Sequence, residues 1–197
     1  AFNPVYNNYG KDFIDHFYGE GTTDKITAYL ADLTFAERVV AAIPSVVALY
    51  KLTGDESLKE LAIKAANHLY DNMYSEKGGF IQRSHDASTE GGCRTMMDTL
   101  MNAPLFFWAY EETGDEKYFK AAKSQLDITE KYLIREDGSS YHHYQFDVET
   151  HAPVRGITFQ GNRDESTWSR GQSWGVYGFA MGYDYTGDKK MLDVQND

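Results

Sequence analysis

Asp98 stands in CRTMMDTLMNAPLFFW, where nearly every neighbour is apolar. A carboxylate inside so apolar a run is costly unless it is paired or faces a cleft. Burial also raises a carboxyl pKa, which is what a general acid needs near neutral pH. A carboxylate that caps a neighbouring loop fits the same pattern equally well. Asp32, in AYLADLTFAE, precedes a helical run and reads first as an N-cap or surface residue. His142 and His143 follow the turn DGSS. Such a pair is more often structural or exposed than catalytic. His68, His85 and His151 are scattered. With no HExxH, CxxC or EF-hand pattern, neither a metal nor a cofactor is expected.

The densest polar and aromatic stretch is FQGNRDESTWSRGQSWGVYGF. Gln160, Arg170 and Gln172 supply hydrogen-bonding groups, and Trp168 and Trp174 supply flat apolar faces. Arg170 and Trp174 are one helical turn apart and therefore share a face. The pair suits forking a carboxylate and stacking on a sugar ring. A packing tryptophan beside an arginine ion pair suits it as well. No P-loop, dinucleotide fingerprint or GxSxG elbow is present, and Cys93 has no histidine base nearby in sequence.

The elements that must position these residues announce themselves as a repeat. LYKLTGDESLKELAIKAANHLYDNM, WAYEETGDEKYFKAAKSQLDITEKYL and MGYDYTGDKKML each end one apolar run, place Thr-Gly-Asp, and begin another. Gly54, Gly114 and Gly187 suit the left-handed residue past a helix C-terminus. Asp55, Asp115 and Asp188 suit the N-cap of the next helix. Leu58, Leu61, Ala62, Ala65, Ala66 and Leu69 follow steps of three and four, as do Tyr118, Phe119, Ala122, Leu126, Thr129 and Leu133. Residues 96–110 are apolar almost all round and predict a buried inner helix, as do residues 171–185. Inner helices alternating with amphipathic outer ones predict an all-α toroid or solenoid. The long polar connections, 78–94 and 136–168, are of the kind that usually carries function. YHHYQF within the second predicts a short β-hairpin.

Composition bounds the partners. The 197 residues are 42% hydrophobic, 15% aromatic and 25% charged, which fits a globular core and argues against disorder. A net charge of −11 gives no general attraction to nucleic acid or anionic lipid, so an anionic substrate would need a local cluster of Arg and His. No apolar run reaches a membrane span. The single cysteine cannot form an internal disulfide and leaves the compartment open. AFNPVYNNYG shows neither the charged nor the apolar region of a signal peptide.

CRTMMDTLMNAPLFFWAYEETGDEKY, DGSSYHHYQFDVETHAPV and FQGNRDESTWSRGQSWGVYGFAMGYDYTGDKKML together resemble the unsaturated glucuronyl hydrolases, glycoside hydrolase family 88. The sister rhamnogalacturonyl hydrolases of family 105 share the fold but usually lack the RGQ-x-W block. The resemblance implies an (α/α)6 toroid, of which this chain would form about half as a single catalytic domain over 1–197. It implies a substrate left by polysaccharide lyases, with a 4,5-unsaturated uronic acid at the non-reducing end. It implies hydration of the vinyl ether without a metal or other cofactor, in bacterial cytoplasm or periplasm. Asp98 matches the family's proton-donating Asp, and Asp32 matches a second essential Asp that holds hydroxyls and raises the pKa of Asp98. His142, Gln160, Arg170 and Trp174 match substrate-binding residues, with Trp168 in support.

The chain departs from the family pattern where Ala31 and Phe159 replace histidines, at its first thirty residues, and in length. The expectation is therefore a toroid completed by further polypeptide or by self-association into a homo-oligomer, with a competing reading as a non-catalytic module for acidic oligosaccharides or a protein partner. No nucleic acid or membrane partner is expected.

Overall fold

The computed structural model describes residues 46–82 and 93–196. Asp32 and Ala31 lie outside them. The chain falls into two compact units, Ala1–His68 and Leu69–Asp197. The first contributes α1 (Ala48–Thr53) and most of α2 (Glu56–Met73). The second adds β1 (Tyr74–Ser75), β2 (Phe80–Ile81), β3 (Arg94–Met96), α3 (Ala103–Thr113), α4 (Glu116–Leu133), β4 (His143–Phe146), β5 (Pro153–Ile157), α5 (Ser169–Thr186) and α6 (Lys190–Asn196).

The Thr-Gly-Asp repeat is a hydrogen-bonded hinge used three times. Gly54, Gly114 and Gly187 take φ of 69°, 71° and 67°, and each donates its N–H to a tyrosine carbonyl, of Tyr50, Tyr110 and Tyr183. A side chain at those angles crowds its own carbonyl, so glycine is strongly favoured. The threonine before each glycine closes the helix from inside. Thr53, Thr113 and Thr186 donate to the carbonyls of Leu49, Ala109 and Gly182, and accept from the N–H of the following aspartate. Asp55, Asp115 and Asp188 then accept the N–H two residues on, at 2.9, 3.1 and 3.1 Å. Each such cap stabilises its helix by about 0.5–2 kcal/mol.

Within the second unit, α3 is the inner helix: residues 103–109 are all buried. On α4 the buried positions are Tyr118, Ala121, Ala122, Gln125, Leu126, Thr129 and Leu133, one stripe of an amphipathic helix. The helix predicted over 96–110 divides, however. Residues 94–96 are a strand, Met97–Met101 form a 3₁₀ turn, and only then does α3 begin. Met96 is extended (φ −144°, ψ 159°) because it still pairs with His143 in the sheet. YHHYQF is likewise more than a hairpin arm. His143–Phe146 is the central strand of an antiparallel sheet ordered β3–β4–β5.

The 3₁₀ turn is seated on a row of glycines. A methyl group added at Gly171 would meet Trp168 at 2.8 Å, at Gly175 the Met97 Cε at 2.7 Å, at Gly178 the Leu100 Cβ at 2.5 Å, and at Gly182 the Leu126 Cδ1 at 2.7 Å. These positions step by four, three and four along α5, so one bare backbone face receives the turn and one residue of α4.

Gly178→Ala presses a methyl onto Leu100 Cβ, which cannot retreat without its backbone, and overpacking of this kind costs about 1–3 kcal/mol. Gly175→Ala meets only the mobile end of Met97, and alanine is the better helix former by about 1 kcal/mol. Denaturant melts should therefore place Gly178→Ala well below Gly175→Ala in stability. Equal midpoints would refute the close approach.

Candidate active site

Sheet register brings Asp98 to His142. Arg94, Thr95 and Met96 of β3 pair with Gln145, Tyr144 and His143 of β4. The Met97 N–H extends the ladder by donating to the His142 carbonyl at 3.0 Å. The chain then turns into the 3₁₀ segment, and Asp98 Oδ2 comes to rest 3.5 Å from His142 Nε2. That is too long for a full hydrogen bond. Oδ2 is shielded from solvent and its acceptor capacity is unfilled, although the Asp98 side chain as a whole is 33% exposed.

The imidazole is held from behind. His142 is buried, and its Nδ1 receives the Phe159 N–H at 3.2 Å and faces the Thr158 hydroxyl at 3.3 Å. Gly161 N–H donates to that hydroxyl oxygen at 2.9 Å, leaving its hydrogen for Nδ1. A nitrogen that accepts a backbone N–H keeps its lone pair, so the ring proton lies on Nε2. That proton faces Asp98 and His143 Nε2, which is 3.1 Å away. Both histidines are buried, where the sequence read such a pair as more often structural or exposed than catalytic.

The charge state of Asp98 runs against the sequence-based expectation of a raised pKa. Burial pushes the carboxyl up, but the facing His142, the residue's own backbone N–H and nearby His143 outweigh it and hold the carboxyl below its ordinary value. Asp98 therefore rests as a carboxylate at neutral pH. The reason is its place: a turn beside two imidazoles rather than the interior of an apolar helix.

A chain of ring contacts leads from here to the polar loop. His142 lies against Trp168, with ring centroids 4.3 Å apart. The Arg170 guanidinium sits over Trp168 at 4.5 Å and donates to Gln160 Oε1. Asp98, His142, Gln160 and Arg170 thus belong to one connected cluster. Trp168, given only a supporting place in the sequence reading, is its central link. Trp174 is half-buried on α5, one turn beyond Arg170.

Other contributors were not visible in sequence. Gln125 is fully buried on α4. Its Oε1 accepts the Ile81 N–H at 2.7 Å, and its Nε2 donates to Thr95 at 3.2 Å and Thr129 at 3.0 Å. Thr95 and Thr99 hydroxyls lie 3.3 Å apart, and Thr99 donates to the Met96 carbonyl at 2.6 Å. Every bond in this chain has one consistent direction, from amide to hydroxyl to hydroxyl to carbonyl, and it brackets Asp98 on both sides in sequence. A lone Gln on the buried stripe of an amphipathic helix is the one sequence signal that points to it. Among the described residues, no three His, Cys, Asp or Glu side chains are grouped to hold a metal ion, and no helix is long and apolar enough to cross a membrane.

Comparison with known proteins adds the family. The model of Glycosyl Hydrolase Family 88 matches residues 3–195. An unsaturated chondroitin disaccharide hydrolase of Streptococcus pneumoniae is 38% identical over 197 residues, covering 94% of this chain and 50% of that protein. The solved unsaturated glucuronyl hydrolase of Bacillus sp. GL1, responsible for the degradation of glycosaminoglycan, superposes with a TM-score of 0.85 at 33% identity, covering 98% of this chain and 52% of that one. A solved aspartate-to-asparagine variant with dGlcA-Glc-Rha-Glc gives 0.82 at 34% identity, covering 92% and 51%. The chain thus spans about half the length of the relatives it matches. Its fold class is theirs, the helical (α/α)6 toroid class. On the family match and these identities, the chain belongs to glycosyl hydrolase family 88.

Proposed function

We propose that residues 1–197 are part of one α/α catalytic domain that releases a 4,5-unsaturated uronic acid from the non-reducing end of lyase-generated oligosaccharides. The observation that carries this reading is the Asp98 carboxylate with an unfilled, sheltered Oδ2, linked through His142 and Trp168 to the Arg170–Gln160 pair. Relatives named for unsaturated glucuronyl and chondroitin disaccharide substrates support the choice of ligand.

Arg170, with Gln160 beside it, forks the uronate carboxylate, and Trp174 offers a flat face to the ring. His142 Nε2–H donates to a substrate hydroxyl or to Asp98. Asp98 delivers a proton to C4 of the double bond, which leaves a cation shared between C5 and the ring oxygen. Water adds at C5 and returns a proton to Asp98, so the carboxyl is unchanged after each turn. The C5 hemiketal opens and the next sugar leaves, with one water consumed. Asp32, assigned on sequence alone, is the second carboxylate, holding substrate hydroxyls.

Asp98 is ionised in the free protein, so it must gain its proton on binding. An anionic uronate drawn in by Arg170 does this, because a like charge nearby raises a carboxyl pKa.

The first test is loss of the ultraviolet absorbance of an unsaturated chondroitin disaccharide on adding the chain. Asp98→Asn should slow it by about 10²–10⁴-fold while the circular dichroism is preserved. A folded wild-type chain that leaves the absorbance untouched would overturn the assignment.

The pH dependence has a definite sign. The acid works only when protonated, so activity falls as pH rises through the Asp98 pKa. For kcat/KM, which reports the free protein, that fall should begin at lower pH than for kcat, which reports the complex. Coincident limbs would separate the uronate from Asp98.

His142→Ala removes the neighbour that opposes burial, so the Asp98 titration followed by carboxyl ¹³C shifts should move upward. An unchanged or lower value would remove His142 from that role.

A further inference from the structure

The loop that follows β5 serves the cluster with its backbone and carries one exposed aromatic ring. Thr158 N–H donates to Asp164 Oδ1 at 2.9 Å, Phe159 N–H to His142 Nδ1 at 3.2 Å, and Gly161 N–H to Thr158 Oγ1 at 2.9 Å. Gln160 accepts from Arg170. The Phe159 and Gly161 N–H groups and the Gln160 side chain thus orient His142, Thr158 and Arg170. The Phe159 ring is 57% exposed. It is nevertheless fixed in place: the buried Arg94 guanidinium lies 4.1 Å from the ring centre and the His143 ring 4.9 Å away.

The part of an apolar ring left in water gains stability when a ligand covers it. The loop is tied at each of Thr158, Phe159, Gln160 and Gly161, so the ring is held where it is. Its position decides what should cover it. Its own N–H orients the imidazole that faces Asp98, and its chain neighbour accepts from Arg170. The ring itself packs on His143, whose Nε2 lies 3.1 Å from His142 Nε2, so it borders the cluster. A pyranose presents hydroxyls at its rim and C–H groups on its faces, which suits polar groups at the edge and one flat aromatic beside them.

We propose that Phe159 is a specificity-determining residue, a platform on which the apolar face of a bound sugar stacks. This rests on the oligosaccharide reading above and adds a contact to it. The ring supplies binding common to ground and transition states, so its loss raises KM with little change in kcat.

The experiment has two arms. In turnover of an unsaturated chondroitin disaccharide, Phe159→Ala should raise KM by about 5–30-fold and leave kcat within about twofold, since a sugar–aromatic contact of 1–2 kcal/mol corresponds to that ratio. Phe159→Tyr and Phe159→Trp should restore KM. In calorimetric binding of the same disaccharide to Asp98→Asn, adding Phe159→Ala should weaken Kd by the same factor. A fall in kcat at unchanged KM would mean that the ring only steadies His142, and would overturn the proposal. So would unchanged KM and Kd while wild type still turns over, an outcome that leaves the hydrolase reading intact. Binding that depends on Phe159 in a wild type without turnover would sustain the platform and remove the hydrolase reading. Absence of disaccharide binding by the folded Asp98→Asn chain would remove the platform.

Discussion

The cluster around Asp98 depends on how closely one 3₁₀ turn can approach one helix. Leu100 Cβ lies so close to the bare backbone at Gly178 that a Cβ there would force a shift, and the end of Met97 lies against Gly175. Asp98 lies between Met97 and Leu100 in sequence and, on so tight a turn, away from the face they bury. An ordinary helix at this point would have spread Met97, Asp98 and Leu100 around a wider cylinder. The glycines of α5 therefore serve the site although none bears a functional group. Their cost in helix propensity is offset by the apolar area the approach buries and by the cap at Gly187.

The second constraint is register. Three residue pairs between β3 and β4, extended by the Met97 N–H, bring Asp98 opposite His142. A slip of one residue would exchange the faces of every side chain on the strand and part the two groups. The hydrogen-bonded chain from Gln125 through Thr95 and Thr99 works against such a slip. Each hydroxyl in it both accepts and donates, so none can be moved without leaving a buried polar group unmade. Packing and hydrogen bonding thus agree on one position for the turn.

Electrostatics follow from that position. In a helix interior Asp98 would face only apolar groups, and burial would decide its pKa. Beside His142, with the Phe159 amide fixing which nitrogen carries the proton, the carboxylate form is favoured instead. In the free protein the carboxyl of such a site therefore rests charged.

Much of this was legible in the chain itself. The three Thr-Gly-Asp hinges, the buried character of residues 103–109 and the stripe on α4 follow from local rules: glycine best tolerates the left-handed cap, aspartate satisfies the next free N–H, and helical periodicity aligns apolar residues. The motif blocks around Asp98, His142 and Arg170 were also plain, and with them the family. What remained hidden depends on residues far apart in sequence. Nothing local distinguishes Met97–Met101 from the start of α3, because strand pairing with residues 143–145 and the glycine face of α5 impose the turn. The lowered pKa of Asp98, the central place of Trp168 and the exposed ring of Phe159 are likewise set by neighbours that only the folded chain brings together. Local chemistry determined the hinges, the caps and the amphipathic stripes, and marked the candidate residues. The tertiary structure decided how closely those elements approach, and so what charge and which partners each functional group has.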